Sequence, residues 1–228
     1  MKRWVATAVL SCLCSLAALS SFASDVGTQT PSRVVVGFLA GLNHSAFDFS
    51  EADVLSSTGK VGMSAGLAVR LPRNRYSYLR AGLEVQTSGG EFSQIGRYIT
   101  PDGQRLPARS SVDLTYLTLP LAIGLSPLSH ANRPHFDFGL ELAHLLSSRL
   151  AIRVGPNPGT YVFRDGSSFN DWELGAVVTA GADLPIGRRR AFSEVAYRQG
   201  ISPTWRSSWS NSVDGTYRAF ELRLGFWL

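Results

Sequence analysis

Cysteine is almost absent. Cys12 and Cys14 are the only two in 228 residues, and both lie in the first apolar run. Without that run the chain has no thiol, which excludes a disulfide framework, thiol catalysis and any Cys-based metal site. Lysine is nearly as scarce. Lys2 and Lys60 are the only two, so the basic residues are almost all arginine. The planar fork of arginine pairs with carboxylates and phosphates. Beyond the N-terminal run no apolar stretch is long enough for a spanning helix. Charges of both signs are scattered rather than clustered, which argues against a nucleic-acid surface. No glycine-rich phosphate loop follows a strand pattern.

The N-terminus reads MKRWVATAVLSCLCSLAALSSFAS. Lys2 and Arg3 form a positive n-region, Val5 to Leu19 an apolar h-region, and Ser21-Phe22-Ala23 a small-x-small cleavage site. The pattern predicts a cleaved signal peptide over 1–23, a short lead over 24–32 and one barrel domain over 33–228. A retained membrane helix is the alternative. Val9-Leu10-Ser11-Cys12 has the look of a lipoprotein box, but apolar residues continue past Cys12 and would place the cut inside the h-region. Cleavage would leave 20 of the 22 basic residues against 17 acidic ones.

What is present is alternation. In TYRAFELRLGFWL, Thr216 to Leu228, the residues Phe220, Leu222, Leu224, Phe226 and Leu228 fall on one face. Tyr217, Ala219, Glu221, Arg223, Gly225 and Trp227 fall on the other. A period of two with one apolar face is a β-strand. The same pattern predicts strands over Arg33–Asn43, Lys60–Leu71, Tyr76–Ser88, Leu114–Ser126, His135–Leu146, Asn170–Leu184 and Arg190–Gly200. Pro120 interrupts the fourth, and a residue that cannot donate predicts a bulge or a locally broken pairing there. Gly89 to Ser111 reads as a long loop, as do His44–Gly59 and Ser147–Phe169, the last with β character near Leu150–Val154.

Eight strands with alternating short and long connections predict an all-β, eight-stranded antiparallel up-and-down transmembrane β-barrel with short periplasmic turns and long outer loops. Strand edges cannot stay open in lipid, so the first and last strands should pair. The apolar face would meet lipid through Leu117, Leu119, Leu121, Phe138, Leu140, Phe220, Leu222 and Leu224. The other face predicts a lumen charge network of Arg80, Glu84, Asp137, Glu141, Glu173, Glu194, Arg198, Glu221 and Arg223, with Asp171 and Asp183 also inward. Eight strands leave room for side chains rather than a wide channel. Arg80, Arg198 and Arg223 should therefore bridge the acids and plug the lumen, while a narrow cation path is the alternative. A soluble sandwich with the charged face in water is the other reading. Lipocalin-like soluble barrels reverse the pattern, apolar inside and polar outside.

GFLAGLN in the first strand, YLTLPLAIGL over Tyr116–Leu125, GLELAHLLS over Gly139–Ser147 and EVAYRQGIS in the seventh strand occur in this order. They resemble the motifs of the PorT-like outer-membrane β-barrel family. Two departures are Thr118, where that family usually has an acid, and Leu228, where it often has an aromatic residue. The resemblance implies the barrel fold, insertion by the barrel-assembly machinery and an outer-membrane location in a Gram-negative bacterium. It does not extend to the secretion role of PorT itself.

One constellation has catalytic chemistry. His44, Ser45 and Asp48 together offer a base, a nucleophile and an orienting acid, the set a lipid-modifying acyltransferase or deacylase needs. A polar loop rim is the competing reading. His130, His135 and His144 are spread along the chain, and no His/Asp/Glu spacing suggests a metal site. Trp205 and Trp209 are interfacial or ligand-facing aromatics. The expectation is a non-enzymatic, monomeric outer-membrane barrel without cofactor. It would meet outer-membrane lipid, bind no nucleic acid, and act as a structural or binding protein through its outer loops.

Overall fold

The alternation builds nine β-strands in the computed structural model, which describes residues 34–49, 56–74, 76–99, 105–126, 133–154, 159–163, 169–187, 189–204 and 215–228. They are β1 (Val35–Phe49), β2 (Ser56–Pro72), β3 (Ser77–Ile99), β4 (Arg105–Leu125), β5 (Arg133–Val154), β6 (Gly159–Phe163), β7 (Trp172–Ile186), β8 (Arg189–Gly200) and β9 (Gly215–Trp227). No helix occurs among the described residues. The expected signal peptide and lead over 1–32, and His130, Trp205 and Trp209, lie outside the described residues.

Neighbouring strands pair antiparallel, β4 pairs with β5, and β1 pairs with β9. Eight strands thus close into a barrel, with the short β6 flanking only the upper part of β5. The closing seam runs without a register shift from Gly37 opposite Trp227 to Phe49 opposite Gly215. In β9 the burial alternates strictly. Phe220, Leu222, Leu224 and Phe226 are exposed on the outer face, and Glu221, Arg223, Gly225 and Trp227 are buried. Among the described residues nothing covers this outward apolar row of β9.

Strand lengths depart from expectation on one side. Gly89–Ser111 is not a loop: β3 and β4 continue through it as one tall hairpin, paired from Gly89 opposite Asp113 out to Ile99 opposite Arg105. β1 runs past His44 to Phe49, β2 starts at Ser56, and β5 runs on to Val154. Much of what reads as long loops is strand. β7 and β8 stay short, so the wall from β3 to β6 stands above them.

At Pro120 the ladder to β3 is broken without a bulge. Leu121 faces Ala81 and Thr118 faces Glu84 in one unchanged register, while Leu119 and Pro120 have no β3 partner. The missing N–H explains the gap, and Gly82 gives the ring room: a Cβ there would lie 3.0 Å from Pro120 Cγ. The β4–β5 register shifts between Thr115 and Tyr116, leaving Leu146 as an extra residue on β5. One extra residue inverts which side chains point outward beyond it. Both Leu146 and Ser147 are exposed, and beyond them Arg149 and Arg153 face out.

Candidate functional site

The barrel interior collects the charges. Seven carboxylates are buried among the described residues: Glu84, Asp137, Glu141, Glu173, Asp183, Glu194 and Glu221. Four arginines join them, Arg70, Arg80, Arg198 and Arg223. Asp171, expected inside, is exposed just ahead of β7, and its backbone carbonyl accepts from Leu145 N–H. Arg70 enters instead, on the inward parity of β2.

The charges stack in tiers. Nearest the short turns, Arg70 reaches from β2 across the barrel to Asp183 on β7 at 2.6 Å, its guanidinium lying 4.2 Å over the Tyr78 ring and 4.4 Å over that of Trp227. Trp227 Nε1–H donates to the other oxygen of Asp183 at 3.1 Å. Arg80 on β3 forks onto Glu194 on β8 at 2.6 and 3.0 Å and onto Asp137 on β5 at 2.7 Å. Tyr78 O–H donates to Asp137 at 2.5 Å. His135, fully buried, lies 3.0 Å from Glu194 through Nε2 and 3.7 Å from Asp183 through Nδ1.

The middle tier centres on Arg198. Its guanidinium meets Glu84 on β3 at 2.5 Å, Glu221 on β9 at 3.0 Å, and Glu141 on β5. Arg223 joins Glu221 at 2.9 Å and Glu84 at 3.4 Å, and Ser64 O–H donates to Glu221. Glycines on the wall leave space for these side chains. A Cβ on Gly41 would lie 2.7 Å from Glu221 Oε1, and one on Gly181 2.7 Å from Glu194 Cγ. Above, Tyr217 O–H donates to Glu141 at 3.1 Å and Tyr116 O–H to Glu173 at 2.5 Å, with the two rings stacked at 6.3 Å. Glu173 meets no arginine among the described residues. It is held by Tyr116 and by Thr204 O–H at 3.2 Å, on the segment that crosses over from β8.

Topmost, the interior turns apolar. Phe47, Val112, Leu114, Tyr116, Ala143, Phe169, Tyr217 and Ala219 form one buried cluster, with Leu145 and Leu150 against it. The charged tiers are therefore closed over by packed hydrocarbon on the tall side.

On the outer face, Leu121, Phe138, Leu140, Phe220, Leu222 and Leu224 are exposed, while Leu117 and Leu119 are half-buried between neighbouring strands. The His44–Ser45–Asp48 constellation does not assemble. His44 and Ser45 are successive strand residues and point to opposite faces. His44 is exposed; Ser45 is buried, with its Oγ bonded to the backbone of Gly89 at 2.9 and 3.0 Å. Asp48 pairs with Arg218 at 3.2 Å. His144 lies against Trp172 with ring centroids 4.4 Å apart.

One grouping was not legible from spacing. His135, Asp137 and Glu194 bring ligand-type atoms within 4.8 Å of one another. Asp137 follows His135 on the same inward parity, but Glu194 comes from β8, and only barrel closure unites them. The cation this cluster calls for is already there: Arg80 Nη1 lies between Asp137 and Glu194.

Residues 22–206 match a family model described as an outer membrane protein beta-barrel domain. No curated protein sequence matches the chain. Among solved structures, OprG of Pseudomonas aeruginosa is similar over 88% of this chain and 96% of its own, at 12% identity and a TM-score of 0.48. The attachment invasion locus protein Ail of Yersinia pestis is similar over 87% and 100%, at 9% identity and 0.42. The outer membrane enzyme PagL is similar over 81% and 97%, at 9% identity and 0.31.

Proposed function

Because the chain belongs to the outer membrane protein beta-barrel domain family and closes eight strands into a barrel, we propose that it is a plugged, non-enzymatic outer-membrane barrel that works through its outer surface. Residues 1–23 direct export and are then cleaved off, the short turns face the periplasm, and the tall β3–β6 wall faces outward. The exposed leucine and phenylalanine belt meets hydrocarbon. The PorT-like motifs are the finer placement within the family.

The observation that carries this reading is the crossing of the lumen by arginines. Arg70, Arg80 and Arg198 each start on one side of the barrel and end on a carboxylate of the opposite side. Such spokes leave side chains, not a pore, on the axis. In planar bilayers the folded protein should show little or no steady conductance; a large, stable, cation-selective current would overturn the plug. Against the lipid-modifying alternative stands the separation of His44 from Ser45. Outer-leaflet lipid analysed by mass spectrometry should be the same with wild type, His44→Ala and Ser45→Ala. Loss of a lipid modification in either variant would replace the binding reading with an enzymatic one.

A further inference from the structure

Above the apolar belt, three outward arginines have no acid partner among the described residues. The outward residues of β4 there are Arg109, Ser111 and Asp113, and across the β4–β5 ladder they face Arg153, Ala151 and Arg149 in turn. All three arginines are exposed. Like charges directly opposite on one sheet face are destabilising, and no contact among the described residues offsets that cost for Arg109 beside Arg153. Asp113 does not neutralise Arg149. Its carboxylate is taken by Lys60, which reaches over from β2 and also donates to Ser111 at 3.0 Å. Among the described residues none of the three arginines makes an ion pair. Glu91, exposed on β3 opposite Ser111, is the other acid nearby. Counting Lys60, four basic groups meet two acidic ones among the described residues of this face.

The geometry of the patch is specific. Ser111 and Ala151 form a floor of small side chains, with the Arg109–Arg153 row on one side and Arg149 on the other. Successive rows on one face are about 7 Å apart, so the Arg109–Arg153 row and Arg149 stand about 14 Å apart across that floor, and their guanidinium forks can reach in from both sides toward a phosphorylated anion. The patch exists because of the extra residue at Leu146. Without that shift Arg149 and Arg153 would point into the barrel. The face is also continuous with the belt: Phe138, Leu140, Leu142 and Leu146 on β5 lead to Arg149, which lies three residues, or about 10 Å of strand, beyond Leu146. The arginines therefore point sideways rather than into the lumen, Arg149 nearest the belt and the Arg109–Arg153 row four residues, about 14 Å of strand, further out, a span that the phosphate-bearing head of a belt-bound glycolipid can cover.

We propose that Arg109, Arg149 and Arg153 form a binding site for the phosphate groups of an outer-leaflet lipid, a phosphorylated glycolipid packed against the β4–β5 face. This rests on the outer-membrane reading above and names the partner of that surface. The test uses the full chain folded into phosphatidylcholine vesicles containing either diphosphoryl lipid A or its dephosphorylated counterpart. Folding is checked by heat-dependent gel mobility in phosphatidylcholine alone, and lipid retained after extraction is measured by native mass spectrometry. Wild type should retain the phosphorylated lipid and lose the dephosphorylated one. R109Q/R149Q/R153Q should retain roughly a hundredfold less, and R153Q alone about fivefold less, at the scale of one basic residue near an anionic surface. Arg218→Gln, which removes a guanidinium already paired with Asp48, should behave as wild type. Equal retention by the triple variant, or of both lipids by wild type, would overturn the site. Arginine-dependent binding of soluble inositol hexakisphosphate without any lipid retention would assign it to a soluble anion and overturn the lipid. Failure of the wild-type chain to fold into phosphatidylcholine would remove the outer-membrane reading, and the site with it.

Discussion

The two halves of β4 obey opposite rules. From Leu117 to Leu125 the odd residues are apolar and face outward, while Thr118 faces in. From Arg109 to Thr115 the odd residues are Arg, Ser, Asp and Thr, still outward, and the even residues Val112 and Leu114 are buried inside. The lower half is built like a membrane barrel, apolar outside and ionic inside; the upper half is built like a water-soluble one. The strand is continuous and its geometry hardly changes. On the proposed outer-membrane reading what changes is the solvent outside, and the level of inversion is also where β5 takes its extra residue. A change of surroundings is thus written as a phase reversal of the same period, not as a change of secondary structure.

The largest effect should come from breaking the ionic half. Arg198 is 1% exposed and holds Glu84, Glu141 and Glu221 at once. Arg198→Leu would leave Glu84 and Glu221 sharing Arg223 and Glu141 with only the Tyr217 O–H among the described residues, and stranding buried charge typically costs about 3–5 kcal/mol. Urea unfolding of the lipid-inserted barrel should show that loss at neutral pH. A variant as stable as wild type would mean that the carboxylates are hydrated and the lumen open.

Next come Leu222→Arg and Leu224→Arg, on the belt of β9. Arginine on the lipid face costs about 2–4 kcal/mol near the midplane, less where the side chain can snorkel to the interface. Yield of folded, heat-modifiable protein in thick bilayers should fall, whereas Arg223→Leu should insert and then unfold more easily. Wild-type insertion of both belt variants would exchange the two faces or end the membrane reading.

Leu114→Ala probes the upper half. Leu114 is 2% exposed in the apolar cluster above the charges, and its truncation should cost about 2 kcal/mol, the low end for a buried leucine. Insertion should be untouched, because this cluster packs against itself and not against lipid. Reduced insertion yield would show that the cluster lies within the bilayer and that the inversion in β4 does not mark its edge.

Legibility followed the same division. β8 and β9 were readable residue by residue because Val195, Phe220, Leu222 and Leu224 keep an apolar outward row beside charged inward neighbours. The nine residues of the expected charge network all lie in the buried interior. Their partners were harder. Arg70 and Asp183 meet only across the closed barrel, and no spacing along the chain encodes that. Gly89–Ser111 reads as a loop because its glycines, prolines and charges break the outward apolar row that marks the lower strands, whereas the backbone pairing of β3 with β4 continues through it. The extra residue at Leu146 was invisible for a related reason: LLSS is apolar then polar at any phase, and only pairing with β4 fixes which side each residue takes.

The smallest effect should come from an arginine of the same chemistry in the other solvent. Arg218 pairs with Asp48 at 3.2 Å, but the two side chains are 53% and 40% exposed. Water already solvates both charges, so removing one leaves no buried ion behind. Exposed pairs contribute about 0–1 kcal/mol and are screened by salt. Arg218→Gln should thus shift the urea midpoint of the lipid-inserted barrel slightly, and the difference should vanish in high salt. Arg198→Leu should keep its full penalty there, since salt does not reach the lumen. A large, salt-independent loss from Arg218→Gln would place that pair in a dry environment. The outer surface at the top of β1 and β9 would then be covered, by lipid or by another protein, and the boundary read from β4 would not continue around the barrel.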